Sequence, residues 1–216
     1  MPGVLDTLGD LGLVPVVKIE RSEDAVNLGG ALLAGGLPCA EITFRTEAAE
    51  EAIRQISSSL RDVILGAGTV LSIDQADRAV SAGAKFIVSP GFNQKVVDWC
   101  LDNGVPVTPG VVTPTEIDMA LDRGLNVLKF FPSEAMGGIA TLKAISAPYG
   151  NVKFIPTGGV SVKNLADYLA QPMVHCCGGS WLVKANLISA GKFDEITRLT
   201  QEAVSMVRQV RGQGEV

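Results

Sequence analysis

Along the chain, short runs of apolar, mostly β-branched residues alternate with stretches whose apolar positions recur at helical spacing. Eight such runs predict strands over 14–19, 38–44, 63–67, 85–89, 105–109, 127–131, 152–157 and 174–178. Most are almost continuously apolar, as parallel strands are when both faces are covered. The intervening stretches carry helix punctuation. Ser22, Ser72 and Ser161 stand at N-cap positions, and Thr113 with Glu116 makes a capping-box pattern. Gly35-Gly36, Gly83, Gly104 and Gly124 fall where helices should stop before the next strand. A last helix is expected over about 193–211. Its stripe of Phe193, Ile196, Leu199, Ala203, Val207 and Val210 suits core packing, and 210–216 reads as a frayed tail.

Dividing 216 residues by eight leaves 27 per strand–helix unit. That economy predicts an α/β fold, a single (β/α)8 TIM barrel over 1–216, rather than an open sheet, which at this length has fewer strands. No linker, low-complexity segment or shift of composition marks a second domain. In such a barrel, functional groups collect at the C-terminal ends of the strands.

Composition sharpens this in three ways. Hydrophobic residues make up 47% of the chain but aromatics only 5%, so Val, Ile, Leu and Ala must fill the core. A net charge of −5 with mixed signs argues against nucleic acid or an anionic membrane as partner. Cys39, Cys100, Cys176 and Cys177 show no Cys-x-x-Cys spacing and read as reduced, buried thiols of a cytoplasmic protein. The first residues, with Asp6 and Asp10 and no basic residue before Lys18, do not resemble a signal peptide, and no apolar run is long enough to span a bilayer.

Polar residues gather at the predicted strand ends. Lys129 interrupts an otherwise apolar strand and shares a face with Val127 and Phe131. If that face points inward, lost hydration disfavours the ammonium and frees an amine able to attack a ketone and form a Schiff base. The alternative is a strand lysine that reaches solvent. Lys85 opens its strand and is a weak rival, whereas Lys18, near the end of the first strand, is a serious one. Glu41, Thr43 and Arg45 have one parity, so Glu41 could move protons while Arg45 and Thr69 hold a carboxylate. A Glu41–Arg45 surface ion pair without chemistry is equally open. Gly158-Gly159 and Gly178-Gly179-Ser180 follow the last two strands, where a barrel of this kind receives phosphate, although tight turns also explain them. The single histidine, His175, reads as a core residue of the last strand. One histidine cannot build a His-rich zinc site, and no His-Glu-x-x-His or Gly-x-Ser-x-Gly pattern is present.

The segments Glu41-Ile42-Thr43-Phe44-Arg45-Thr46, Gly66-Ala67-Gly68-Thr69-Val70, Ser89-Pro90-Gly91, Lys129-Phe130-Phe131-Pro132, Pro156-Thr157-Gly158-Gly159 and Gly178-Gly179-Ser180-Trp181 together resemble the 2-keto-3-deoxy-6-phosphogluconate (KDPG) and 4-hydroxy-2-oxoglutarate aldolase family, in order over roughly 14–205. The resemblance implies a class I aldolase of the Entner–Doudoroff pathway. Such an enzyme cleaves KDPG, a 2-keto acid sugar phosphate, reversibly to pyruvate and D-glyceraldehyde 3-phosphate, with no metal or organic cofactor, as a homotrimer. Carried over by motif, Lys129 would be the Schiff-base lysine and Glu41 the general acid/base, with Arg45 and Thr69 on the pyruvate carboxylate. Pro90, Phe131 and Thr157 would line the site, and Gly158, Gly159, Gly179 and Ser180 would receive the phosphate. Ser133 and Phe44 depart from the family's usual Ala and Leu without touching a residue assigned to chemistry, and Lys18 lies outside the motif. Related aldolases take the galactonate epimer or 4-hydroxy-2-oxoglutarate. A non-catalytic barrel that binds sugar phosphates is the rival outside enzymes.

Overall fold

The computed structural model describes residues 3–212. Its strands are β1 (Leu13–Val17), β2 (Cys39–Thr43), β3 (Ile64–Gly68), β4 (Phe86–Val88), β5 (Val107–Thr108), β6 (Gly110–Val111), β7 (Val127–Phe130), β8 (Lys153–Pro156) and β9 (Cys177–Gly179). All ladders are parallel. One curved sheet runs β5-β4-β3-β2-β1-β9 and a second β6-β7-β8. Parallel bridges Phe154–Val174 and Thr157–Gly178 join β8 to β9. The other joint is Pro109, between β5 and β6, so the ring closes into a (β/α)8 barrel.

The predicted fifth strand is therefore two short ones. Pro109 has no N–H to give a ladder, yet its carbonyl accepts from the Lys129 amide at 3.0 Å. At Gly110 the chain passes so close to the loop after β4 that a Cβ would lie 2.0 Å from the Pro90 carbonyl oxygen. The interior is filled as the composition requires, by Val, Leu, Ile and Ala with a few rings such as Phe86, Phe130 and Phe154.

Helix ends follow the expected punctuation in part. Ser72 caps its helix by accepting from the Gln75 amide, and Thr113 and Glu116 form a capping box. Ser22 instead opens a short 3-10 turn, and Asn164 rather than Ser161 stands at the cap of Leu165–Leu169. At the latter, Asn164 Oδ1 accepts from the Ser161 amide and shapes the turn before the helix.

Three expectations change at the N-terminal end of the barrel. A helix, Val4–Leu11, precedes β1 and lays Leu8 under the barrel, around the same interior space as Val14, Phe86, Val88 and Ile155. Its apolar residues Val4, Leu5, Leu8 and Leu11 have helical spacing, and the open end of a barrel needs such a cover. The last strand begins at Cys177, so His175 lies before it, half-buried, with Nε2 2.7 Å from the Leu5 carbonyl. The final helix is Phe193–Arg211, which places Val210 and Arg211 within it rather than in a tail. Arg211 donates to the carbonyls of Gly9 and His175, each at 2.6 Å, and these bonds tie the helix end to the barrel. Residues 213–216 of the expected tail lie outside the described residues.

Candidate active site

Lys129 and Phe131 face the barrel interior, as their shared parity predicts. Lys129 is 5% exposed, and its Nζ lies 4.9 Å from the centre of the Phe131 ring. Across the barrel, Glu41 on β2 is 4% exposed, and its Oε1 is 3.5 Å from Lys129 Nζ. β3 makes room for this carboxylate: a Cβ on Gly68 would fall 2.0 Å from Glu41 Oε1. The glycine is thus a requirement of the carboxylate's position rather than of a turn. Below the pair lies the apolar layer of Val14, Phe86, Val88 and Ile155.

Above the pair opens a cavity of about 190 Å³ at the C-terminal ends of the strands. Thr43 donates its hydroxyl to the Val17 carbonyl at 2.7 Å and accepts from Arg45 Nε at 3.0 Å. That chain holds Arg45 by its Nε edge, and among the described residues the two terminal nitrogens of the fork have no partner, which suits them to a carboxylate. The Glu41–Arg45 surface ion pair does not form, because Glu41 turns inward to Lys129. Thr69 borders the cavity with φ 56°, the one non-glycine residue with positive φ among the described residues. A β-branched residue there stores strain of about 1–3 kcal/mol, a cost borne where geometry at a site demands it.

Pro90, Thr157, Gly158, Gly159 and Ser180 complete the predicted part of the wall. Gly158 and Gly159 have φ 93° and 87°, turning the chain after β8 through a region that side chains avoid. Gly179 is the exception. It does not border the cavity, and its missing side chain instead admits the Trp181 ring, whose Cζ3 would lie 2.0 Å from a Cβ. Val16 and Val160 border the cavity without having been expected, and so does Gly178 of the expected Gly178-Gly179-Ser180 turn. Val16 was legible from its parity with Val14. Gly178 follows from crowding, since a Cβ there would meet Thr157 Oγ1 at 2.3 Å.

The rival lysines are elsewhere. Lys18 is 45% exposed at its side chain, pairs with Glu20 at 2.6 Å and does not border the cavity. Lys85 is exposed before β4. All four cysteines are free and buried; burial pushes the Cys100 thiol up to about 11 and that of Cys176 to about 12, far from reactive thiolates. Among the described residues no three His, Cys, Asp or Glu side chains converge as a metal-binding set, and no helix is long and apolar enough to cross a membrane.

Known proteins share this sequence and fold. A 2-dehydro-3-deoxy-phosphogluconate aldolase of Treponema pallidum is 50% identical over 204 residues, covering 94% of this chain and 97% of its own. The crystal structure of KDPG aldolase from Legionella pneumophila, with pyruvate captured at low pH as a covalent carbinolamine intermediate, superposes with a TM-score of 0.89 at 39% identity, covering 94% of this chain and 98% of that one. The 2-keto-3-deoxy-6-phosphogluconate aldolase of Zymomonas mobilis with 3-phosphoglycerate gives a TM-score of 0.87 at 37% identity, covering 94% and 96%. The family pattern described as KDPG and KHG aldolase matches residues 4–199, and the chain belongs to that family.

Proposed function

We propose that this chain is a class I aldolase that cleaves 2-dehydro-3-deoxy-6-phospho-D-gluconate reversibly to pyruvate and D-glyceraldehyde 3-phosphate. The observation that carries the reading is the buried Lys129 amine 3.5 Å from the buried Glu41 carboxylate, at the floor of an open cavity. A ketone carbon placed above Lys129 can be attacked by the Nζ lone pair, giving a carbinolamine. Glu41 is within reach to protonate the departing hydroxyl, directly or through one water, so that water leaves and an iminium remains. The same carboxylate then takes the C4 hydroxyl proton. The C3–C4 bond breaks, its electrons pass to the iminium nitrogen, and the aldehyde departs. Protonation of the enamine at C3 and hydrolysis release pyruvate and restore Lys129.

The rest of the wall suits the two ends of such a substrate. Arg45, oriented by Thr43, and Thr69 would hold the carboxylate of the pyruvyl half. The Gly158-Gly159 turn and Ser180 would receive the phosphate. Pro90, Phe131 and Thr157 would shape the space between. The pyruvate carbinolamine of the Legionella pneumophila aldolase and the 3-phosphoglycerate of the Zymomonas mobilis aldolase support both halves of this assignment. The resemblance further supports a cytoplasmic homotrimer in the Entner–Doudoroff pathway, without metal or organic cofactor. A family that includes KHG aldolases keeps 4-hydroxy-2-oxoglutarate as a second substrate to measure.

Borohydride reduction in the presence of pyruvate, followed by intact mass and peptide mapping, tests the proposal. Pyruvate is expected on Lys129. Its absence there would remove the Schiff-base mechanism and leave a barrel that only binds sugar phosphates.

A further inference from the structure

Ser133 stands outside the catalytic motif, yet the structure connects it to the turn after β8. The Ser133 amide donates to the Thr157 carbonyl at 2.8 Å, and the Glu134 amide donates to the Gly158 carbonyl at 3.0 Å. The segment after β7 is thereby zipped to the Gly158-Gly159 turn. The fit is tight: a Cβ on Gly159 would lie 2.4 Å from Glu134 Cγ. Glu134 is in turn anchored by Tyr168, whose hydroxyl donates to Glu134 Oε1. The Tyr168 oxygen is also 2.7 Å from Ser133 Oγ. Tyrosine has one hydroxyl proton and spends it on the carboxylate, so Ser133 is the donor in the second bond.

Tyr168 is fully buried on the helix Leu165–Leu169, and its ring cannot swing away without opening the core. Burial, with the Glu134 carboxylate adding to it, pushes the phenol up to about 12, so it remains a donor throughout the neutral range. Neither Tyr168, Glu134 nor Ser133 borders the cavity. The chemistry of the reacting carbons therefore does not involve them. Ser133 and Glu134 touch the back of the turn that would hold the phosphate, and Tyr168 touches Ser133 and Glu134.

We infer that Tyr168, acting through Glu134 and Ser133, is a positioning residue that sets the Gly158-Gly159 turn for the phosphate end of the substrate. The inference rests on the assignment of that turn as the phosphate site. Two effects follow from the geometry. The clamp holds the turn in a shape whose amides can converge on an anion, and it fixes the Glu134 carboxylate outside the cavity, where its charge does not oppose a phosphate. It should matter for phosphorylated substrate and be indifferent to the pyruvyl end.

Steady-state kinetics on KDPG and on its unphosphorylated counterpart, 2-keto-3-deoxygluconate, read this directly. Tyr168→Phe is expected to raise KM for KDPG roughly three- to tenfold, the span of one lost hydrogen bond, with kcat nearly unchanged. The unphosphorylated substrate should be turned over as before. Glu134→Ala should behave alike, whereas Glu134→Gln keeps an acceptor for Tyr168 and should hold KM near its native value. An unchanged KM for KDPG in Tyr168→Phe, or an equal loss on both substrates, would overturn the clamp. Ser180→Ala separates the two assignments. If Ser180→Ala loses the preference for KDPG while Tyr168→Phe and Glu134→Ala keep it, the clamp falls and the phosphate site stands. If the native protein shows no preference for KDPG, both fall together. Should Tyr168→Phe not fold, the contrast between Glu134→Ala and Glu134→Gln decides the same question.

Discussion

The two ends of the barrel treat their polar groups in opposite ways. At the N-terminal end, Arg211 reaches two carbonyls at 2.6 Å each, and the His175 ring meets a third at 2.7 Å. These groups hold short bonds to backbone carbonyls, two of them in the helix Val4–Leu11. Towards the C-terminal end, Lys129 can offer up to three donors, yet among the described residues its recorded hydrogen-bond partner is one carboxylate oxygen at the long distance of 3.5 Å. Arg211 and His175 are half-buried and Lys129 is buried, and the two environments differ in the length of their bonds. A cation held by short bonds to backbone locks structure, whereas an amine with one long contact beside a proton carrier is available for chemistry. Burial by itself therefore does not separate a structural charge from a reactive one. The count and length of its bonds do.

That contrast can be broken at either end. The largest effect is expected from Lys129→Ala, which should abolish KDPG cleavage and borohydride trapping of pyruvate while leaving the thermal transition in place. Trapping that persists in this variant would move the reactive amine elsewhere. Next, Glu41→Gln should lower kcat by about 10²–10⁴-fold with slow adduct formation still detectable by mass. Native turnover in that variant would take Glu41 out of proton transfer. At the other end, Arg211→Met removes the donor to the His175 carbonyl, while the Gly9 carbonyl still accepts from the Gly12 amide. It should cost about 1–3 kcal/mol in urea unfolding with kcat/KM for KDPG unchanged. A loss of activity without a loss of stability would erase the distinction between the ends.

The smallest and most distributed effect is on pH dependence. Burial raises Cys100 to about 11, and Cys176 and Tyr168 to about 12. For each, the folded state holds its proton more tightly than the unfolded chain. The stabilisation is complete below the ordinary thiol and phenol values and fades as pH rises through the shifted ones. The urea midpoint should accordingly fall progressively from about pH 9 to pH 12, and fall less steeply in a Cys100→Ala variant measured against its own neutral value. A flat midpoint over that range would count against deep burial of these groups.

Much of this arrangement is legible in the sequence. The inward face of Lys129 and Phe131 followed from strand parity, and the helix Phe193–Arg211 from its apolar stripe. The capping box at Thr113 and Glu116 followed from side-chain chemistry acting over three residues. Other features resisted. Gly179 looked like part of an anion cradle but makes way for Trp181, a distinction that depends on which face of the turn is crowded. Lys18 looked like a rival to Lys129 because both lie near strand ends. Its pairing with Glu20 depends on the chain leaving β1 outward. Ser133 looked inert because its partner, Tyr168, is 35 residues away.

The division has a physical reason. The sequence by itself determined the periodicities: eight strand–helix units, which residues share a face, and where helices stop. These come from backbone geometry and side-chain chemistry between residues only a few positions apart. The tertiary structure alone decided which polar groups acquire partners. Lys129 and Glu41 are separated by 88 residues, Arg211 and Gly9 by 202, and each pair meets only because the ring of strands closes. Local rules bring an amine to the inner face of a strand. Only barrel closure sets a carboxylate 3.5 Å from it, and that distance turns a buried lysine into a candidate nucleophile.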